Sequence, residues 1–201
     1  DALVSGGERL SFAALDALSE RLAGALAGGQ GVKPGDRVAI AMRNAPAWML
    51  VYMAAAKAGA VVTLLNGWWT PDELAHALAL AEPALIVADA ERARRIAAAG
   101  SGARVVTLPV ERPVEEALAP LLDGVAPGPL PLIGPEDDAT ILFTSGSTGR
   151  ARGAVSSQRA VTTGIYTFLA ITAAVLHQYH GGDRANLPGP PAVLVAVPLF
   201  H

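Results

Sequence analysis

The sequence predicts an α/β fold, a mostly parallel sheet flanked by helices. Two observations predict it. From residue 37 to residue 107, short apolar runs alternate with segments whose apolar residues recur every three or four positions. Repeated strand–helix alternation of this kind builds a parallel sheet with helices on its faces. The 201 residues are also 52% apolar and only 16% charged, enough apolar material to cover such a sheet on both sides.

The elements follow in order. Ala2-Leu3-Val4 and Arg9-Leu10-Ser11 flank Gly6-Gly7, the pattern of a small hairpin. Ser11 stands where it can cap a helix in which Phe12, Leu15, Leu18, Leu22 and Leu26 share one face, and Gly28-Gly29 ends that helix. Lys33-Pro34-Gly35-Asp36 is a turn. A strand over 37–42 precedes a helix over 45–57, with Pro46 at an early position where its missing N–H costs little. A strand over 61–65 precedes a helix over 71–81, and Thr70 and Glu73 have the spacing of a capping box. A strand over 84–88, a helix over 91–99 and a strand over 104–107 continue the alternation.

Segment 109–135 carries seven prolines and reads as a connecting segment with one short helix over 114–122. A strand over 139–143 then leads into a loop at 144–153, and Ser156 or Ser157 caps a helix reaching about Leu176. The charge-free run 160–176 falls short of the ~20 residues of a membrane span, so a buried helix is expected and no transmembrane segment. A Gly/Pro loop over 181–191 precedes an apolar run at 192–197, expected to be a last strand. Such a strand needs neighbours at both edges, so residues 1–201 are expected to be a truncated portion of a longer domain.

Composition excludes several functions. Fifteen basic residues against eighteen acidic ones give a formal net charge of −3, which argues against a general nucleic-acid surface. The absence of cysteine removes disulfides, thiolate zinc sites and a cysteine nucleophile, and favours a cytoplasmic setting. Asp1-Ala2-Leu3 opens no signal-peptide pattern.

The segment that carries chemistry is Thr144-Ser145-Gly146-Ser147-Thr148-Gly149-Arg150-Ala151-Arg152-Gly153, expected between a buried strand and a helix. Glycines let backbone N–H groups turn toward an anion at close range. Hydroxyls donate to phosphate oxygens, and Arg150 and Arg152 add positive charge. The pattern fits a polyphosphate cradle, although a solvated Ser/Gly turn has the same composition. No G-x-x-x-x-G-K-[ST] and no G-x-G-x-x-G runs through it.

Thr144 to Gly153 resembles the phosphate-binding signature T-S-G-[ST]-T-G-x-P-K-G of the adenylate-forming superfamily of acyl-CoA synthetases, luciferases and nonribosomal adenylation domains. Ala151 replaces the family's proline and Arg152 its lysine. The resemblance continues in Leu10–Leu15, in Gly35-Asp36-Arg37-Val38-Ala39-Ile40, in Ala56-Lys57-Ala58-Gly59-Ala60 and in Pro198-Leu199-Phe200-His201, and so spans nearly the whole chain. Leu65-Asn66-Gly67-Trp68-Trp69 is similar to a variant found in fatty-acyl-CoA ligases. The resemblance implies the N-terminal part of an acyl-CoA synthetase-like adenylation domain. It implies an AMP-forming ligase that uses MgATP to convert a carboxylic acid, a fatty acid in this reading, to an acyl-adenylate and passes it to coenzyme A. Thr144, Ser145, Gly146, Ser147, Thr148, Gly149 and Arg152 would hold the phosphates. His201 would stand near the acyl carboxylate and Phe200 would help wall its pocket.

It further implies ATP, Mg2+ and coenzyme A as substrates or cofactors. The missing C-terminal part of the same chain would be a partner, peripheral membrane contact is compatible with the reading, and the fragment alone is expected to be inactive. Activation of an amino acid or aryl acid for a carrier protein, and a non-catalytic binding module of the same fold, remain as alternatives.

Other features have plainer readings. His177 and His180 stand three apart but lack a third metal ligand nearby in sequence. Asp137 and Asp138 read as turn residues before a strand rather than as a carboxylate pair. Trp68 and Trp69 read as core and loop anchors at least as readily as a substrate gate or a partner contact. Glu91, Arg92, Arg94 and Arg95 read as a solvated helix face, and His76 carries no usable signal.

Overall fold

The fold is described from a computed structural model, over residues 1–144, 150–181 and 192–200. Strands β1 (Leu3–Ser5) and β2 (Glu8–Leu10) form a separate antiparallel hairpin turning at Gly6, whose φ is 57°. Helix α1 (Phe12–Ala27) begins at Ser11, whose hydroxyl accepts the Ala14 N–H at 3.1 Å. The expected cap is therefore present, but the expected apolar face begins later. Leu15, Leu22 and Leu26 are buried, whereas Phe12 lies in the first turn and is 78% exposed.

The alternation then runs β3 (Arg37–Ala41), α2 (Pro46–Lys57), β4 (Val61–Leu64), α3 (Pro71–Ala81), β5 (Leu85–Asp89), α4 (Ala90–Ala98) and β6 (Val105–Leu108). After α5 (Val114–Leu122) come β7 (Asp138–Thr144), β8 (Arg152–Ser157) and α6 (Gln158–His180). One six-stranded sheet results, in the order β6-β5-β3-β4-β7-β8. Every pair in it is parallel except β7 with β8.

Residue alternation along the strands explains how two helical layers fit. Val38, Ile40, Leu85 and Val87 point to one face and pack with Leu22 and Leu26 of α1, Leu50 and Val51 of α2, and Leu118 and Leu121 of α5. Their neighbours Ala39, Ala41, Ile86 and Ala88 point to the other, against Leu74, Ala77 and Leu78 of α3 and Ile96 of α4. Three of those four inward positions are alanine, which brings α3 and α4 close to the sheet. Helix α3 carries the full capping box: Glu73 N–H donates to the Thr70 hydroxyl, and the Glu73 carboxylate accepts the Thr70 N–H at 2.8 Å.

Three expectations need correction. Residues 152–157 form a strand rather than the end of a loop; Val155 is the one large apolar residue among them, so little in the sequence marks it. Helix α6 is capped by Ser157 as expected, but it is 23 residues long and not buried: Ile165, Tyr166, Phe168, Leu169 and Ile171 are all more than half exposed. Over Gln158–Tyr179 it has the length and composition to cross a membrane, with a mean hydropathy of 1.5. Finally, residues 192–197 form no strand; they run exposed, and no described strand lies beside them.

Candidate active site

Because β3, β4, β5 and β7 are parallel, their carboxyl ends lie along one edge of the sheet, where open α/β sheets bind ligands. The hydroxyl- and glycine-rich connection starts at that edge. β7 ends at Thr144 and β8 returns at Arg152, with Thr144 opposite Arg152 and Phe143 opposite Gly153. The Thr144 hydroxyl donates to the Arg152 carbonyl at 3.4 Å and ties the base of the connection. The loop thus joins two antiparallel strands, not a strand to a helix, and both its expected ends are strand residues. Ser145, Gly146, Ser147, Thr148 and Gly149 lie outside the described residues, as does His201.

Packing at the base of the connection explains two of its residues. A Cβ on Gly153 would stand 2.9 Å from Ile141 Cγ2 and 3.6 Å from the Phe143 ring, so β8 approaches β7 as closely as it does only with glycine there. Phe143 in turn meets Trp69 edge-on at 5.3 Å. Arg150 and Arg152 are exposed, and no carboxylate among the described residues lies within ion-pair distance of either. His76 on α3 is half-buried, and its Nε2 lies 3.1 Å from the Ala151 carbonyl oxygen.

A second group of residues assembles on the same edge, beyond β3 and β4. The Asn44 side chain holds segment 197–199 from both sides: Nδ2 donates to the Val197 carbonyl at 2.8 Å, and Oδ1 accepts the Leu199 N–H at 2.9 Å. This clamp seats Phe200, 6% exposed, against Trp68, with ring planes at 89° and centroids 5.4 Å apart. Trp68 is thus a loop anchor facing the Pro198–Phe200 segment. Gly67 lets both pack: a Cβ there would be 3.1 Å from Arg92 Nε and 3.5 Å from Phe200.

The charged residues after β5 are not a solvated face throughout. Asp89 is 3% exposed and caps α4, accepting the N–H groups of Arg92 at 2.9 Å and Arg43 at 2.8 Å. Its carboxylate also pairs with the Arg92 guanidinium at 3.2 Å. Arg95 donates to the Gly67 carbonyl at 3.0 Å and pairs with Glu91. Arg95 therefore braces the loop after β4, and Arg92 packs beside Gly67. Asp137 lies in a turn, accepting the Gly134 N–H at 2.7 Å. Among the described residues, no group of three or more His, Asp or Glu side chains gathers to hold a metal, the neighbourhood of His177 included.

Two groups have displaced acidities. Burial raises the Tyr52 phenol above its ordinary value, partly offset by a hydrogen bond with Thr140. The Thr70 N–H and hydroxyl hold the Glu73 carboxyl below the usual range. Sequence reasoning did not single out Asn44, Asp89 or the contact of His76. Asn44 had a usable signal, a short polar side chain just past the carboxyl end of a strand. The partner of His76 had none, since 75 residues separate it from Ala151.

Comparison with known proteins places this geometry. The family model described as AMP-binding enzyme matches residues 1–201. The chain is 35% identical over 197 residues to a feruloyl-CoA synthase from Amycolatopsis sp, covering 98% of this chain and 35% of that protein. It is 29% identical to a medium/long-chain-fatty-acid–CoA ligase of Mycobacterium tuberculosis, covering 98% of this chain and 31% of that one. Among solved structures, the ATP-bound MatB of Rhodopseudomonas palustris superposes with a TM-score of 0.64 at 32% identity, covering 87% of this chain and 33% of that one. A benzoate CoA ligase from Burkholderia xenovorans LB400 shares the fold at 23% identity, with a TM-score of 0.63 over 75% of this chain and 29% of that one. The chain spans about a third of the length of the curated relatives it matches.

Proposed function

Since the chain belongs to the AMP-binding enzyme family, whose members among its relatives are acyl-CoA ligases, we propose that it is the N-terminal third of an AMP-forming acid–thiol ligase. In this reading a carboxylate attacks the α-phosphorus of MgATP, giving an acyl-adenylate and pyrophosphate. The coenzyme A thiol then attacks the acyl carbon and AMP leaves. Pyrophosphate leaves readily only if its developing charge is met by fixed donors. Thr144, Ser145, Ser147, Thr148 and the N–H groups of Gly146 and Gly149 are assigned that task, with Arg152 supplying charge in place of lysine. Magnesium enters with ATP, and residues 1–201 are assigned no metal cage of their own.

The observation that carries this reading is that the hydroxyl- and glycine-rich connection springs from Thr144 and Arg152 at the same sheet edge where Asn44 seats Phe200 against Trp68. A nucleotide site and an acyl site would then be neighbours across β4 and β7. Phe200 and His201 are assigned to the acyl side, Phe200 as wall and His201 beside the carboxylate. That neither Arg150 nor Arg152 meets a carboxylate among the described residues supports anion binding. The exposed flank of α6 is assigned to the remaining two thirds of the polypeptide, so residues 1–201 alone should not turn over. A cytoplasmic location belongs to the same reading.

The acid is proposed to be a fatty acid, on the Leu65–Trp69 segment. The 35% identity to a feruloyl-CoA synthase favours an aromatic acid as the second reading. Exchange of labelled pyrophosphate into ATP, measured on the full-length protein with fatty acids and hydroxycinnamic acids side by side, tests both. Acid-dependent exchange is expected, and the acid that drives it decides between the two. No exchange with any acid refutes the ligase reading, and turnover by residues 1–201 alone refutes the proposed division of labour.

A further inference from the structure

We infer that His76 is a positioning residue for the connection between β7 and β8, acting through the carbonyl of Ala151. The inference rests on the ligase reading above and adds to it a residue from a different element.

Three observations carry it. First, the geometry is direct: His76 Nε2 stands 3.1 Å from the Ala151 oxygen. A carbonyl only accepts, so Nε2 is the protonated nitrogen and the imidazole donates. Second, Ala151 sits one residue outside the ladder, whose last pair is Thr144 with Arg152. Fixing this carbonyl fixes the plane of the peptide that joins Ala151 to Arg152, and so the direction in which the chain enters the ladder from the connection. Third, the donor is itself held. His76 lies in α3, whose first turn is locked by the Thr70–Glu73 capping box and whose next residues, Ala77 and Leu78, are buried against the sheet.

The sequence at position 151 gives the contact its purpose. A proline there would lock φ near −65°. Alanine leaves that dihedral free, so the connection of this chain lacks a covalent restraint at the residue His76 touches. The hydrogen bond from α3 supplies a restraint of another kind, through the carbonyl rather than the ring. Phosphate donors aligned before ATP arrives give tighter binding than donors that must be ordered on binding.

The test compares two substitutions in the full-length protein. His76→Leu keeps an apolar side chain of similar reach without the donor, and His76→Gln keeps a donor. His76→Leu should raise KM for ATP about fivefold, in line with the loss of one hydrogen bond, while kcat, KM for the acid and the melting temperature hold. His76→Gln should restore KM for ATP to near the wild-type value. An unchanged KM for ATP in His76→Leu overturns the inference. So do equal effects of the two substitutions, or a parallel rise in every KM, since either marks a purely structural role. A wild-type protein inert toward ATP overturns the ligase reading, and this role with it. A wild-type protein that is active while His76→Leu matches it overturns this role alone.

Discussion

At the scale of single residues, glycines show how a local signal and a long-range constraint coincide. Gly28 reads in the sequence as a helix terminator, and α1 does end there. Its stricter constraint comes from segment 126–128, which crosses the end of α1: Gly29 N–H donates to the Ala126 carbonyl and Gly128 N–H to the Gly24 carbonyl. A Cβ on Gly28 would lie 2.1 Å from the Ala126 oxygen and 2.5 Å from the Gly128 nitrogen. Backbone cannot swing aside as a side chain can, so Gly28→Ala should destabilise the chain by about 1–3 kcal/mol or more. Gly7→Ala, where nothing lies within 4 Å, should be close to neutral. Urea denaturation of the two variants checks the contrast. Gly153 follows the same logic at the candidate site. The resemblance marked it as a signature glycine, but only the structure shows Ile141 and Phe143 occupying the space its side chain would need. Asn44 and His76 were harder to read, because each acts on backbone that arrives much later in the chain.

Among elements, legibility followed the locality of the cause. Helices α1 to α5 and strands β3 to β6 fell close to their expected bounds because periodicity, caps and prolines act within a few residues. The run at 192–197 is apolar throughout and carries valine at every second position, yet forms no strand among the described residues. β8 is the converse, a strand of weak propensity that exists because it pairs with β7. The capping box of α3 was readable and carries a pH prediction. The Glu73 carboxyl is held below its ordinary value of 4.5 by two Thr70 donors. A carboxyl whose folded pKa is depressed binds fewer protons folded than unfolded, so stability rises with pH through this window. The contribution is therefore present above pH 4.5 and lost as the pH falls through the folded value. Glu73→Gln should cost less than about 1 kcal/mol at pH 7, because the box is exposed to solvent. That difference should be smaller at a second pH well below 4.5. Denaturation of both forms at the two pH values measures it, and a difference that persisted undiminished in acid would remove the charge from the explanation.

For the whole molecule, the edge that carries the candidate site was legible before the residues that meet there. Strand–helix alternation predicts a parallel sheet, and a parallel sheet predicts a ligand edge at its carboxyl ends. The structure brings the base of the hydroxyl- and glycine-rich connection, Trp68 and Phe200 to that edge. The surroundings of α6 were not legible, because burial of a long apolar helix depends on what is laid over it. The helix exposes Ile165, Tyr166, Phe168, Leu169 and Ile171, five large apolar side chains in seven residues, too much apolar surface for a settled solvent face. In the ligase reading the cover is the rest of the polypeptide, the chain spanning about a third of the length of its curated relatives. Residues 1–201 alone should then bind a hydrophobic dye strongly and self-associate, and amides 160–176 should exchange with solvent readily. In the full-length protein dye binding should fall and those amides should be protected. If instead the helix stays unprotected in the full-length protein, and that protein floats with lipid vesicles, a membrane is the occupant and the assignment of α6 to the ligase core fails.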